Sequence, residues 1–301
     1  AETPQYIFFQ MTNNLTSIQY IKDLAARHNF RFSKSLGQNF LVNPDILDQT
    51  LACCKPDPET GVLEIGPGIG TLTAALASRA GKVAAIEIDR TLIPVLEETV
   101  GGLGNVHITQ KDALKLDLFE FCDAHLPFPR RIVCANLPYY IPAAAVEKLL
   151  SSQLFDSVTL MLQYEAAKRI CSAPGDPSYC ALAAVADFYA ERRIAFTVPA
   201  DCFYPQPGVG SALLFLKTRL LSPSVAARYT VRLIQAAFSQ RRKTMANALA
   251  NAGICARDLA EEALLSCGFS QNARAELLTA EDFAKIGNYI QKKREQDKNR
   301  L

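Results

Sequence analysis

The sequence predicts an α/β protein in which a mainly parallel sheet of seven strands is followed by a small all-helical C-terminal domain. Three observations lead to this prediction. Short apolar segments alternate with helical ones, which is typical of a parallel sheet covered on both faces. A glycine-rich turn follows the first of these strands. After Arg219 the alternation stops, and only helical spacing remains.

Each predicted element has its own signal. Asn43 and Pro44 are a helix cap and a first-turn proline, so a helix is expected from there to about Cys54. Further helices are expected over residues 71–79, 91–100, 224–239, 243–251, 256–267 and 280–294, with a charged tail from Lys292 that frays. The predicted strands are residues 62–65, 82–88, 105–110, 131–135, 157–163, 181–189 and 212–218, the last with an antiparallel pattern.

Charge is unevenly distributed along the 301 residues. The net charge is only +2, but residues 219–301 hold 14 Lys and Arg against 8 Asp and Glu. This basic region suits a polyanionic partner, and a solvated helical surface explains it equally well. The predicted domains are an N-terminal extension, partly helical or flexible (1–30), an α/β domain (31–218) and a basic helical domain (219–301).

Cysteine usage and hydropathy exclude several classes of protein. The nine cysteines form no Cys-x-x-Cys pair and there are only three histidines, which argues against a zinc site or another metal. Scattered, unpaired cysteines favour reduced thiols and a cytoplasmic location. The sequence contains no run of 18 apolar residues and does not begin with the basic-then-apolar order of a signal peptide, so no membrane association is expected.

The glycine turn is the first candidate binding element. Gly66, Gly68 and Gly70 follow the acidic Glu64 and let the backbone approach a ligand without Cβ collisions. This spacing differs from the Gly-x-Gly-x-x-Gly of dinucleotide sites, which hold a pyrophosphate. S-adenosylmethionine has no phosphate, and the turn leaves room for its amino-acid end. An ordinary tight turn is the alternative.

Two carboxylates follow the next two strands. Glu87 closes the second strand, where a carboxylate can accept hydrogen bonds from both hydroxyls of a ribose. Asp112 follows the third strand and is placed to accept from the adenine amino group of the cofactor. The alternative for both is a helix cap, a role that suits Asp89 better than Glu87.

The segment Asn136–Tyr139 (NLPY) follows the fourth strand, where parallel sheets bind their ligands. The Asn136 side-chain oxygen and the Leu137 carbonyl could hold the two hydrogens of an adenine amine, whose lone pair is otherwise delocalised into the ring. Pro138 would aim that carbonyl, and Tyr139 would stack on the base. The sulfonium would supply the driving force, and the protein would contribute in-line positioning and electrostatic stabilisation of the amine. The alternative is a plain Asn-Pro turn.

A second aromatic element is the proline-stiffened stretch Phe203–Ser211 (FYPQPGVGS). We expect it to hold Phe203 outward as a stacking clamp for an extruded base, a contact worth roughly 1–3 kcal/mol. A packed loop is the alternative.

Five ordered motifs, SLGQNFL (35–41), EIGPGIG (64–70), NLPY (136–139), FYPQPGVGS (203–211) and FSQRRKT (238–244), closely resemble those of the small-subunit ribosomal RNA adenine dimethyltransferases. The resemblance covers nearly the whole chain from about residue 30, and it implies that residues 31–218 form the catalytic domain and residues 219–301 a domain that positions RNA. It implies a Rossmann-like, seven-stranded S-adenosylmethionine-dependent methyltransferase fold. It also implies dimethylation of two adjacent adenosines in the last small-subunit rRNA hairpin, with S-adenosylmethionine as cofactor.

The resemblance extends to individual residues. Asn39 and Leu41 would join Gly66, Gly68, Glu87, Asp112 and Asn136 around the cofactor, and Leu137, Pro138, Tyr139 and Phe203 would form the adenine pocket. Candidate RNA contacts are Arg27, His28, Arg31, Lys34, Arg241, Arg242 and Lys243. The expected partner is small-subunit rRNA within a pre-assembled subunit, and the chain is expected to act as a monomer.

Two departures and two alternatives accompany the resemblance. Tyr164 stands where many relatives carry a basic residue, and the Gly208–Gly210 loop is unusually rich in glycine; both bear on RNA contacts. One alternative is a large-subunit rRNA adenine methyltransferase of the antibiotic-resistance type, against which the FSQRRKT segment argues. The other is a non-catalytic nucleic-acid-binding factor on the same fold, against which Glu87, Asn136 and Tyr139 argue.

Overall fold

A computed structural model describes residues 4–33, 37–138, 142–219, 225–240 and 242–298. The chain forms two compact units, residues 1–167 with 192–218, and residues 168–191 with 219–301. Residues 168–191, which the sequence analysis placed in the catalytic domain, thus group with the C-terminal helices.

The described residues form nine strands and thirteen α-helices. The strands are β1 (Phe40–Leu41), β2 (Thr60–Ile65), β3 (Lys82–Glu87), β4 (Val106–Gln110), β5 (Arg130–Asn136), β6 (Ser157–Gln163), β7 (Ala190–Val198), β8 (Phe203–Tyr204) and β9 (Ser211–Thr218). The helices are α1 (Pro4–Leu15), α2 (Ile18–Arg27), α3 (Pro44–Cys54), α4 (Thr71–Ala77), α5 (Ile93–Thr99), α6 (Leu118–His125), α7 (Pro142–Ser152), α8 (Tyr164–Ile170), α9 (Ala181–Tyr189), α10 (Val225–Phe238), α11 (Met245–Asn251), α12 (Arg257–Ser266) and α13 (Ala280–Lys298).

The main sheet has seven strands in the order β4-β3-β2-β5-β6-β9-β7. Strands β2 to β6 pair in parallel, and β9 runs antiparallel to β6, with Gln163 opposite Ser211. The predicted seven-stranded α/β architecture and its antiparallel last strand are confirmed. The chain turns to β3 on one side of β2 and returns to β5 on the other, which creates a crevice at the carboxyl ends of β2 and β5.

One predicted strand is wrong. Residues 181–189 form helix α9, and the strand of this region is β7, which begins one residue later. The apolar run has alanine at four of its nine positions, and alanine is the strongest helix former. A short apolar run cannot be assigned to helix or strand from periodicity alone. Strand β7 contains Glu191, Arg192 and Arg193, which obscured its alternation.

Local signals explain how α3 and the glycine turn form. Asn43 Oδ1 accepts hydrogen bonds from the backbone of Asp45 at 3.0 Å and of Ile46 at 3.4 Å, as its predicted capping role requires. Helix α3 ends at Lys55, whose φ of 49° is left-handed. Between β2 and α4, the three glycines at 66, 68 and 70 have φ of 71°, 62° and 91°, so the predicted sharp turn is confirmed.

The N-terminal helices pack on the sheet unit. Leu15 ends α1 and is buried, and Thr71 donates its hydroxyl to the Leu15 backbone oxygen at 3.3 Å. Ser17 caps the start of helix α2. The helix buries Ile21 and Leu24 in a core that they share with the apolar side chains of α5. The N-terminal extension therefore consists largely of two helices over residues 4–27.

The C-terminal unit is built from helices α9 to α13. Tyr179 is fully buried there and donates its hydroxyl to the Leu278 backbone oxygen at 3.0 Å. The Phe238 ring contacts those of Tyr179 and Phe283, with centroids 5.5 and 6.0 Å apart. Helix α13 continues to Lys298, so the expected fraying from Lys292 is not seen there. In the ranges given above, no helix combines the length and apolar character that crossing a membrane requires.

Candidate active site

A pocket lies at the carboxyl ends of the central strands, within the sheet unit. All seven residues predicted to bind the cofactor line it, together with Leu137 and Pro138: Asn39, Leu41, Gly66, Gly68, Glu87, Asp112 and Asn136. The pocket thus lies at the crevice beside β2 and β5, where the change of strand order places ligands in such sheets.

The glycine turn forms one wall of the pocket at close quarters. A Cβ at Gly68 would lie 2.8 Å from the Phe40 ring, and one at Gly66 would lie 3.3 Å from Pro138 Cδ. Both residues are also left-handed, a conformation that side chains disfavour. The turn therefore brings bare backbone to the pocket, which a ligand can approach closely.

Glu87 occupies the end of β3 beside this turn and is only 5% exposed. Its Oε2 accepts from the Gly68 amide at 3.3 Å and its Oε1 from the Asp89 amide at 2.8 Å. Burial raises the pKa of Glu87 to about 7, although these backbone hydrogen bonds oppose the shift. A carboxyl fixed in this way has remaining lone pairs with which to accept hydroxyl hydrogens.

Glu64 is a pocket residue to which sequence reasoning assigned no role. It is 1% exposed, and its Oε2 is buried without a hydrogen-bond partner in the described part of the chain. Burial raises its pKa to about 8, nearby Thr73 opposes the shift, and the Glu87 carboxyl adds to it. A buried acceptor without a partner is costly, so this oxygen is available to a donor on a bound ligand. Its position before the glycines was the signal in the sequence.

Asp112 lies at the pocket rim after β4. Its Oδ1 accepts from the Leu114 amide at 2.9 Å, and its Oδ2 is 3.7 Å from Lys115 Nζ. Asp112 thus braces its own turn, as the capping alternative expects, while it also lines the pocket. The two roles are compatible because a carboxylate accepts several hydrogen bonds.

Asn136 ends β5, which pairs with β2 on the side opposite β3, and it lines the pocket. Its side-chain nitrogen donates to the Asn39 backbone oxygen at 3.1 Å, which leaves Oδ1 as the acceptor end of the amide. The next amide, of Leu137, donates to the Met161 backbone oxygen at 2.9 Å and so anchors the loop to β6. Tyr139, the predicted stacking ring of this loop, lies outside the described residues.

Phe203 is not presented as predicted. Its side chain is 3% exposed, packs in the core of the sheet unit and does not line the pocket. The two-residue strand β8 pairs with β1, with Phe203 opposite Leu41, and this pairing turns the ring inward. The expectation of an outward clamp is wrong. Burial of an aromatic ring is strongly favourable, and the prolines of the loop do not hold the ring in solvent against this gain.

Gln38 is a second residue that sequence reasoning did not assign. Its Nε2 donates to Asp89 Oδ2 at 2.7 Å and its Oε1 accepts from the Ser33 amide at 2.7 Å. Gln38 lines the pocket and ties the segment before β1 to the end of β3. Its place in the SLGQNFL motif, beside Asn39, was the available signal.

The predicted RNA contacts are distributed over both units. Arg27 and His28 both contact the Glu98 carboxylate, each with a nitrogen–oxygen distance of 2.5 Å, so both side chains already have an acidic partner. Arg31 is exposed in the sheet unit, and Arg242 and Lys243 are exposed in the C-terminal unit. Lys34 and Arg241 lie outside the described residues. Their roles toward RNA stay predictions.

No cluster of three or more His, Cys, Asp or Glu suited to a metal ion occurs among the residues that the structure describes. The nine cysteines are free thiols, six of them buried.

A seven-stranded sheet with β9 antiparallel to β6 and a pocket at its switch point places the protein in the class of methyltransferases, because two solved methyltransferases share this architecture. A dimethyladenosine transferase from Plasmodium falciparum superposes with a TM-score of 0.69 at 26% identity, covering 84% of this chain and 98% of that one. The 23S rRNA methyltransferase ErmE superposes with a TM-score of 0.62 at 25% identity, covering 84% and 100%.

Sequence similarity identifies the family within this class. The profile described as "Ribosomal RNA adenine dimethylase" matches residues 29–292. The protein named Ribosomal RNA small subunit methyltransferase A of Alkaliphilus oremlandii is 37% identical over 286 residues, 93% of this chain and 99% of that protein. Its namesake in Shouchella clausii is 42% identical over 270 residues, 88% and 91% of the two chains. The chain belongs to the ribosomal RNA adenine dimethylase family.

Proposed function

We propose that this enzyme transfers methyl groups from S-adenosylmethionine to the exocyclic amines of two adjacent adenosines in the 3′-terminal hairpin loop of small-subunit rRNA. The observation that carries the proposal is that Asn136 and Glu87 line one pocket, the first suited to an amine and the second to a ribose. Similarity to the small-subunit enzymes over about nine tenths of the chain supports the choice of substrate.

The pocket fits S-adenosylmethionine in three respects. The cradle at Gly66 and Gly68, which a Cβ would fill, leaves room for the amino-acid end. The orphan Oε2 of Glu64 is an acceptor for a positively charged donor on that end, and Glu87 is an acceptor for the ribose hydroxyls. Asp112, Asn39 and Leu41 complete the proposed cofactor contacts. When bound, S-adenosylmethionine supplies an electrophilic methyl group on a sulfonium.

The chain's own residues supply acceptors for the target amine. Asn136 presents its amide oxygen because its nitrogen is engaged by Asn39, and the Leu137 carbonyl is aimed by Pro138. Two acceptors hold both amine hydrogens and favour a pyramidal nitrogen, whose lone pair is then available for attack. The amine becomes acidic as its nitrogen gains positive charge, so no strong base is needed. The residues act by positioning and by electrostatic stabilisation.

The substrate is proposed to be rRNA within a pre-assembled small subunit, with the enzyme acting as a monomer in the cytoplasm, where ribosomal subunits are built. A basic stretch beyond residue 219 suits a large polyanion. Arg27, Arg31, Lys34, Arg241, Arg242 and Lys243 are the proposed phosphate contacts, and Tyr139 the proposed stacking residue.

The test is methyl transfer from labelled S-adenosylmethionine to ribosomal subunits from a strain that lacks its own small-subunit dimethyltransferase. We expect incorporation into the small subunit and recovery of dimethyladenosine by mass spectrometry of the digested rRNA. Label in the large subunit alone would instead support the antibiotic-resistance type of activity. Binding of RNA without incorporation into either subunit would support the non-catalytic alternative.

A further inference from the structure

Tyr164 lies exposed at the same edge of the sheet as Asn136, where the loop after β5 begins. Tyr164 directly follows β6, the strand next to β5, and it is 38% exposed. Within the described ranges its side chain makes no ring contact and no hydrogen bond. An exposed aromatic ring beside a ligand pocket offers a face on which a base can stack.

Strand register gives the approximate distance of the Tyr164 backbone from Asn136. Met161 lies directly opposite Asn136, and Tyr164 comes three residues later, immediately after β6 ends at Gln163. At about 3.3 Å per residue, the Tyr164 backbone lies roughly 10 Å beyond the position of Asn136 along the sheet edge. Tyr164 thus lies near the proposed site of the target adenine but is not among the residues that line the pocket.

The position of Tyr164 is held by the backbone. Its amide donates to the Gly210 backbone oxygen at 3.0 Å, which joins it to the loop before β9. In that loop Val209 is 51% exposed, and a Cβ at Gly208 would meet nothing within 4 Å, so the approach is open. The Tyr164 backbone is thus fixed to the loop that carries the exposed Val209, and we term these two residues the edge platform.

We propose that the edge platform stacks against the base of a nucleotide neighbouring the target adenosine and so positions the RNA strand. This inference rests on the proposed function, which brings an adenosine to Asn136. An aromatic face binds unstacked bases with little regard to their identity, as a strand opened to expose one base requires. A rigid platform loses little conformational entropy on binding. Tyr164 is thereby a substrate-contacting residue that acts on binding of the RNA and not on the cofactor.

Substitutions at Tyr164 separate stacking from other roles. We expect Tyr164→Leu, which keeps apolar bulk but removes the aromatic face, to raise the KM for small subunits at least fivefold. The kcat and the calorimetric Kd for S-adenosylmethionine should be unchanged, and Tyr164→Phe should restore KM. Phe119→Leu is the matched control, because Phe119 is 67% exposed on α6 and does not line the pocket. An unchanged KM for Tyr164→Leu, or an equal effect of Phe119→Leu, would overturn the proposal.

Charge replacement gives a readout that a structural role does not predict. In Tyr164→Lys a phosphate contact replaces stacking, so the slope of log affinity against log salt should steepen by roughly 0.7 for a single-stranded segment. Tyr164→Leu should leave that slope unchanged. An unchanged slope in Tyr164→Lys would show that the RNA strand does not pass this edge and would overturn the proposal.

Tryptophan fluorescence tests the contact without methyl transfer. The chain has no tryptophan, so Tyr164→Trp and Phe119→Trp each carry a single reporter. An RNA hairpin with the adenosine-containing loop should quench the fluorescence of Tyr164→Trp and leave that of Phe119→Trp unchanged. Equal quenching of both, or of neither, would exclude stacking at the edge platform. Because this readout needs no turnover, quenching without methylation would reject the proposed function and retain the stacking contact.

Discussion

The side-chain nitrogen of Asn136 lies 3.1 Å from the backbone oxygen of Asn39, to which it donates. The side-chain nitrogen of Asn39 in turn donates a hydrogen bond to the Gly37 backbone oxygen at 3.0 Å. The loop before β1 therefore determines which end of the Asn136 amide faces the pocket. Orientation of this kind is preorganisation, because the acceptor is in place before an amine arrives.

Removal of the Asn136 amide is expected to abolish most methyl transfer. Asn136→Ala should lower kcat by a factor of about 100 or more at saturating cofactor, the effect typical of losing one preorganised polar group. Single-turnover methylation of small subunits measures it. Asn105→Ala is the control, since Asn105 donates to the Ala77 and Ala80 oxygens and does not line the pocket. That variant should lose stability and keep its turnover, and equal kcat losses in both would contradict a chemical role for Asn136.

The sequence predicted the elements whose signals are local. The Asn43 cap, the left-handed glycines and strand β6 were placed correctly because capping residues, backbone freedom and a long apolar run each act over a few residues. The pocket residues came together because parallel strands end at one edge, which topology alone dictates.

The errors arose where contacts distant in sequence decide the outcome. Phe203 is buried through pairing with Leu41, 162 positions earlier, which no local pattern reveals. Residues 181–189 are helical because their alanines outweigh an apolar run that also fits a strand. The buried, unpartnered Oε2 of Glu64 follows from the packing of the whole pocket, so sequence could locate that carboxyl but not its environment.

Two buried carboxyls should make the cofactor-free protein less stable as pH rises. Burial raises the pKa of Glu64 to about 8 and that of Glu87 to about 7, from ordinary values near 4.5. The folded state therefore binds these protons more tightly than the unfolded state. The resulting stability is complete below about pH 4.5 and is lost as pH rises through about 7 to 8. A pKa unit corresponds to about 1.4 kcal/mol, so the loss amounts to a few kcal/mol.

Thermal unfolding from pH 5 to pH 9 at constant ionic strength measures this effect. We expect Tm of the cofactor-free protein to fall over that range, and Glu64→Gln, which cannot ionise, to reduce the fall. Glu59→Gln, at an exposed position in the turn before β2, should leave the profile of the parent protein unchanged. A Tm profile of Glu64→Gln as steep as that of the parent would show that Glu64 does not carry the penalty.

The glycine turn should not tolerate a methyl group at residue 68. In Gly68→Ala the new Cβ would lie 2.8 Å from the Phe40 ring at a φ of 62°, so both crowding and backbone strain oppose it. The left-handed conformation alone costs about 1–3 kcal/mol. Calorimetry should detect at least a tenfold loss of S-adenosylmethionine affinity.

Gly253→Ala separates strain from crowding in this experiment. Gly253 has a similar φ of 67°, but a Cβ there would meet nothing within 4 Å, and it lies in the C-terminal unit. It should lower the free energy of unfolding without changing cofactor affinity. Full affinity in folded Gly68→Ala would mean that the turn does not approach the cofactor.

The pairing of Arg27 with Glu98 sets a condition on the predicted RNA contact. The Glu98 carboxylate raises the pKa of Arg27, while hydrogen bonds from His28 and Arg27 lower the pKa of Glu98. To bind a phosphate, the Arg27 guanidinium must either release the Glu98 carboxylate or contact the carboxylate and the phosphate at the same time. Arg27→Gln should weaken RNA binding and reduce the salt slope by roughly 0.7–0.9, the share of one phosphate contact. Glu98→Gln should strengthen binding, because it removes the competing anion.

Filter binding of the rRNA hairpin at several salt concentrations measures both slopes. Arg79→Gln is the matched control: its side chain is 49% exposed, against 47% for Arg27, and it faces Asp48 at 3.9 Å after the end of α4. Arg79 follows the helix end away from the glycine turn, so its loss should leave the salt slope unchanged. Weaker binding by Glu98→Gln would show that the Arg27–Glu98 pair holds α2 in a binding-competent position and that Arg27 makes no phosphate contact of its own.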